Sequence, residues 1–319
     1  MRQNDEWRDV GADAGYRAVT RRLGITMLTF LGLFVGLSML SALLAELLLM
    51  SGLSASARTV ATELFDSAIY LASFMLPVLV YDRITPAHER RSMRLLAKLP
   101  RRTPMIILAG VAVIYSAAIA NALIFRALGW TSVLGGDFHW AVGLPPYRGI
   151  LMMIYTAMVP AFCEELLFRG VVLNALRPYG KTVAVIGSAV LFGLMHGSPE
   201  QILYTTVGGL VLALATLESG SVWIAVLIHF FNNLLSVVEG IAYMRFEEAT
   251  ASLMYGILEL LVIGGGLVCL VWLVTHRPTA CASEEREPTA PLYPVRSFLT
   301  APMLVFVVLS VVQMVLLLL

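Results

Sequence analysis

The chain has 319 residues, of which 59% are hydrophobic and only 13% charged, with a mean hydropathy of +0.83. A water-soluble domain carries about 25% charged residues, so this composition excludes a soluble globular protein and places the chain in lipid. A net charge of +1 leaves no basic footprint of the kind nucleic-acid binding requires.

A membrane-spanning helix needs roughly 20 mostly apolar residues. Residues 1–24 are polar and mixed in sign, and read as a cytoplasmic tail. The apolar run 25–50 is too long for a signal-peptide core and reads as the first anchor. Eight further apolar segments follow, at 60–81, 104–126, 150–172, 181–197, 202–217, 222–240, 252–275 and 298–319. The expected fold class is therefore all-α, a polytopic transmembrane helical bundle of about eight to nine spans. The fifth to seventh segments are short and closely spaced, which predicts a tilted or broken helix among them.

Lys and Arg stay on the cytoplasmic side. An alternating path puts all but Arg58, Arg126, Arg148 and Arg245 of the 22 basic residues on one side, with the N-terminus cytoplasmic. The chain then divides into the tail 1–24, N-terminal spans 25–149 with a basic loop 82–103, a core 150–240, and C-terminal spans 241–319 with a Pro- and charge-rich loop 276–297. The spacing of Ala87 to Arg102 predicts a helix lying on anionic headgroups, and the loop 127–149, with Trp130 and Trp140, is a second candidate for the membrane surface.

Ionisable residues inside spans are costly and by default mark function. The core holds three such groups: Glu164, Glu165 and Arg169 in the fourth span, Phe192 and His196 in the fifth, and His229 and Asn233 in the seventh. At about 100° per residue, Arg169 lies about 40° round the helix from Glu165 and about 140° from Glu164. Glu165 and Arg169 form a favourable i, i+4 pair. Glu164 faces another sector, towards other helices, where it suits a general base or acid. His196 is placed to share that duty by holding a water from the other side. His229 and Asn233 leave their helix on one face, and a His donor with an Asn amide can stabilise an oxyanion. No Ser, Thr or Cys stands at motif spacing to either His, so water is the expected nucleophile. Cys163 reads as small apolar filler.

Glu164-Glu165-x-x-x-Arg169, Phe192-x-x-x-His196 and His229-x-x-x-Asn233 together resemble the three signature motifs of the CAAX-protease and bacteriocin-processing family. These are intramembrane glutamic endopeptidases related to the prenyl-protein protease of eukaryotes. Ser198 to Gln201 and Ser219 to Trp223 resemble the family's linking segments. The likeness covers about 150–240. It implies that Glu164 and His196 activate the water, that His229 and Asn233 form the oxyanion hole, and that Glu165 and Arg169 support the site. It further implies no cofactor, and a peptide or lipidated protein as substrate, reached from the bilayer.

Other readings stay open at this point. Glu164, His196 and His229 could ligate zinc, although the His-Glu-x-x-His spacing is absent. A catalytically idle scaffold or immunity-type protein could keep the same residues for binding. A transporter could use them as a proton relay, but the paired halves common in transporters are missing. Glu46, Glu63 and Asp66 sit near span ends and are expected to reach the interface; His88, His139 and His276 are expected in solvated segments. Glu259 lies inside the eighth span, where a neighbouring helix is its expected partner. Straight, centred spans would place Glu164 and His196 roughly 15 Å apart in depth.

Overall fold

A computed structural model of the protein describes residues 2–90, 99–129, 153–276 and 295–318, with side chains from residue 13 onward. Every regular element among the described residues is helical. In chain order they are α1 (Arg2–Leu49), α2 (Ala55–Ile84), a short 3-10 turn (Ala87–Glu89), α3 (Thr103–Ala127), an irregular helical run α4 (153–179), α5 (Lys181–Met195), α6 (Pro199–Ser219), α7 (Val222–Arg245), α8 (Glu248–Thr275), the single turn α9 (Val295–Phe298) and α10 (Ala301–Leu318). Helix α1 starts at Arg2, so the stretch read as a polar tail continues the helix of the first span.

Among the described residues, α1 from Asp13, α2, α3, α6, α7, α8 and α10 are long and apolar enough to cross a membrane. The protein is an all-α integral membrane protein. Its outward faces carry the residues lipid demands: Leu260 and Val268 of α8, for example, are 74% and 70% exposed.

The other two expected spans take unexpected forms. Run α4 alternates π-helical turns at Met153–Met158 and Leu166–Leu173 with α-helical turns at Val159–Glu165 and Asn174–Leu176, and ends in a 3-10 turn at Arg177–Tyr179. π-Turns are rare and concentrate at functional sites. Helix α5 has 15 residues, a length of roughly 22 Å, which falls short of a hydrocarbon core of about 30 Å. It is therefore too short to cross the hydrocarbon core as a straight helix.

The packing divides into two compact units. One comprises residues 1–92 with 291–312. There α1 and α2 form a helical hairpin, with Phe30 and Phe74 in contact at 4.8 Å between ring centroids and Ser41 donating to Asp66. Thr20 Oγ1 donates to the Ser297 carbonyl at 2.9 Å. The other unit comprises residues 93–290 with 313–319 and contains α3 to α8. Helix α3, grouped by the sequence reading with the N-terminal spans, packs in this unit with the 150–240 core.

Lipid offers little hydrophobic drive between helices, so close approach rests on small residues. A Cβ at Gly209 of α6 would stand 2.8 Å from the Cα of Ala189 on α5, and one at Gly110 of α3 would meet Ile228 Cδ1 of α7 at 2.8 Å. These contacts draw α5, α6, α3 and α7 together around the polar residues of the core. The surface loop 127–149, the headgroup helix 87–102 and the linker 276–297 fall largely outside the described residues, as do His139 and Cys281.

Candidate active site

The turn that joins α4 to α5 sets the level of the site. Gly180 adopts φ 115°, a conformation side chains rarely take, and reverses the chain. Glu164 stands sixteen residues before it and His196 sixteen after it. In a hairpin such positions face each other, and His196 Nε2 lies 4.0 Å from Glu164 Oε2. The expected 15 Å separation is overturned. It assumed that both helices cross the whole bilayer and are centred in it, whereas α5 is too short to do so. His196 caps its end, and Gly197, at φ 59°, turns the chain straight into α6, which Pro199 opens.

Adjacent side chains on α4 diverge, so its two carboxylates serve different helices. Both are buried, Glu164 at 5% and Glu165 at 0% exposure. Arg169, itself fully buried, donates from Nη1 to Glu165 Oε1 at 3.1 Å, and its Nε lies 3.0 Å from Oε2. The expected ion pair is present. It is not the whole arrangement, because His229 Nδ1 also donates to Glu165 Oε1, at 3.0 Å. The second guanidinium nitrogen, Nη2, donates to the Gly209 carbonyl of α6 at 3.1 Å. Burying a charge is tolerable only when it is paired and hydrogen-bonded in this way.

Two hydrogen bonds orient the histidines. His196 Nδ1 lies 2.8 Å from the Phe192 carbonyl, which can only accept. The Nδ1 atoms of both rings are therefore N–H, and Nε2 is the nitrogen each has left for chemistry. The Phe192 ring stands among the three basic side chains: 4.6 Å from the Arg169 guanidinium, 4.9 Å from the His196 ring and 5.9 Å from the His229 ring. Asn233 donates from Nδ2 to the Thr156 carbonyl at 3.3 Å, one hydrogen of two on that nitrogen.

His196, His229 and Asn233 line one cavity of about 370 Å³, whose walls come from α3, α5, α6, α7 and α8. Among the described residues no group of three His, Cys, Asp or Glu is arranged to hold a metal ion. Further polar residues reach this cavity beyond those expected from the sequence, among them Tyr204 of α6 and Asn232, Ser236 and Glu239 of α7. The three on α7 follow His229 at helical spacing, a stripe the sequence displays; Tyr204 carries no such signal. Glu259 finds the neighbouring-helix partner expected of it, since Tyr115 of α3 donates to its Oε1 at 2.5 Å.

Comparison with known proteins finds relatives over the same segment. Residues 146–235 match the type II CAAX prenyl endopeptidase Rce1-like family. The resemblance drawn from the motifs holds over this segment. The Bacillus subtilis (strain 168) protein named "Putative membrane peptidase YdiL" is 28% identical over 120 residues, which span 37% of this chain and 46% of that relative. No solved structure matches the chain.

Proposed function

We propose that the protein is an intramembrane endopeptidase that hydrolyses a peptide bond of a membrane-associated or lipid-modified substrate, with water activated by Glu164 and His196. The observation that carries this reading is the facing of these two buried side chains across 4.0 Å, beside a cavity whose other wall presents His229 and Asn233. The family match over the same residues and the name of the Bacillus subtilis relative support it.

The chemistry follows from the hydrogen-bond directions. The Glu164 carboxylate and the His196 Nε2 lone pair are both acceptors, so one water can donate a hydrogen to each and turn an oxygen lone pair to the cavity. That oxygen attacks the substrate carbonyl as its proton passes to Glu164. The new C–O bond leaves negative charge on the carbonyl oxygen. The second Nδ2 hydrogen of Asn233 and the Nε2–H of His229, acting as an imidazolium beside the Glu165 carboxylate, stabilise it. Collapse breaks the C–N bond, and Glu164 returns its proton to the departing nitrogen. Glu165 and Arg169 do not touch the substrate in this scheme; Glu165, clamped by Arg169, orients the His229 ring and balances its charge. The test is cleavage of a membrane-reconstituted peptide by wild type and by Glu164→Gln, with the products identified by mass spectrometry.

A further inference from the structure

The cavity extends well beyond the groups that the hydrolysis uses. Helix α7 lines it with His229, Asn232, Asn233, Ser236 and Glu239, a continuous polar stripe along one helix face. The facing wall on α3 is apolar at Ile114, Ala118 and Leu123, apart from Tyr115. A groove with one hydrogen-bonding wall and one apolar wall suits an extended peptide, which presents backbone groups and side chains to opposite flanks.

At the far end of the stripe stand two carboxylates. Glu239 of α7 and Glu259 of α8 both line the cavity, with Tyr255 beside them. Tyr115 hydroxyl lies 2.9 Å from Tyr255 hydroxyl and donates to Glu259, so the tyrosines order this end without supplying positive charge. Among the described residues no Lys, Arg or His pairs with Glu239 or Glu259. Acidic groups inside a membrane protein call for a counter-charge; none of the described basic residues supplies one, and both carboxylates face the cavity.

Accepting the protease reading above, we infer that this end of the cavity is a specificity subsite for a cationic group of the substrate, held four to five residues from the scissile bond. The distance follows from the helix: ten residues separate His229 from Glu239, or about 15 Å of rise, and an extended chain advances about 3.3–3.6 Å per residue. The chemical class is an alkylammonium or guanidinium group. A Lys or Arg side chain and a peptide amino terminus share that chemistry.

The experiment walks one Lys through an apolar, norleucine-rich peptide, offered to the full-length protein in vesicles, with cut positions read by mass spectrometry. Each peptide is made with a free and with an acetylated amino terminus, which separates the two sources of the cation. The cut is expected to follow the Lys, or the free terminus, at a spacing of four to five residues. Replacing the cation by norleucine should lower kcat/KM by about tenfold or more. Glu239→Gln and Glu259→Gln should each shrink that preference. Cuts whose position ignores the cation, or a preference untouched in both folded variants, would overturn the subsite.

A second arm does not depend on cleavage. n-Hexylamine, but not n-hexanol, should raise the thermal stability of the wild type, and Glu259→Gln should lose the effect. If no peptide is cut yet the amine still stabilises, the protease reading fails and the cation site stands. If peptides are cut without regard to charge and the amine does nothing, the subsite fails and the protease reading stands.

Discussion

Glu165 Oε1 accepts the Nδ1–H of His229 at 3.0 Å while the same carboxylate is clamped by Arg169. The carboxylate that looks like a plain structural ion pair on its own helix is thus the link between α4 and α7. Glu164, one residue earlier, turns instead to His196 at the end of α5. In the proposed scheme the two adjacent acids thus divide the work between positioning and proton transfer.

Replacing Glu164 by Gln should abolish cleavage and leave the fold intact. The amide keeps the shape of the buried side chain but cannot take a proton from water. The check pairs initial rates on a reconstituted peptide with thermal unfolding in detergent. Residual activity above a few per cent in a well-folded variant would remove Glu164 from the role of base.

Arg169→Ala should harm stability and activity together. Arg169 is fully buried and holds Glu165 and the Gly209 carbonyl at once. Stranding a buried partner charge typically costs about 3–5 kcal/mol. Adding Glu165→Gln to that variant removes the stranded charge, so the double variant should regain part of the loss. Activity should not return with it, because His229 would still lack its carboxylate. Thermal unfolding of the two single variants and the double variant measures this coupling. Additive losses would show that the pair does not act as one unit.

The helices and the order of the motif residues were legible in the sequence because lipid imposes simple rules on length and polarity. The Glu165–Arg169 pair was legible too, since i, i+4 geometry is local. What was not legible was longer in range. The level of His196 depends on α5 stopping short, and that in turn depends on the Gly180 and Gly197 turns, whose φ values no composition rule supplies. The Glu165–His229 bond joins residues 64 apart and needs the close crossings at Gly209 and Gly110. Tyr204 joins the site only because α6 faces the same cavity as α7.

Gly209→Ala should destabilise the protein by about 1–3 kcal/mol, the usual cost of overpacking. The new methyl group would meet the backbone of Ala189 on α5, which cannot yield like a flexible side chain. The shift would also displace the carbonyl that receives Arg169 Nη2, so activity should fall although no proposed catalytic group is altered. Gly208→Ala is the control: a Cβ there finds its nearest atom, Ile114 Cγ2, at 3.5 Å, an ordinary contact. Equal unfolding temperatures for the two variants would refute the tight crossing.

Asn233→Ala should lower the chemical rate far more than it weakens substrate binding. Asn233 lies one helical turn beyond His229 on the wall of the same cavity, and one Nδ2 hydrogen is engaged with the Thr156 carbonyl. That bond fixes the amide so that its other hydrogen is available to an oxygen in the cavity. The charge on that oxygen exists only near the transition state, so losing the donor should cost roughly 10²–10³ in turnover, with little change in affinity. A zinc centre built from Glu164, His196 and His229 would behave differently, since the metal would polarise the carbonyl and Asn233 would be dispensable. Single-turnover cleavage by Asn233→Ala, run beside wild type treated with a strong chelator, separates the two mechanisms. A slow variant with a chelator-resistant wild type is the expected result. A normal rate in the variant, combined with loss of wild-type activity on chelation and its return on adding zinc, would replace the glutamate mechanism with the metal one.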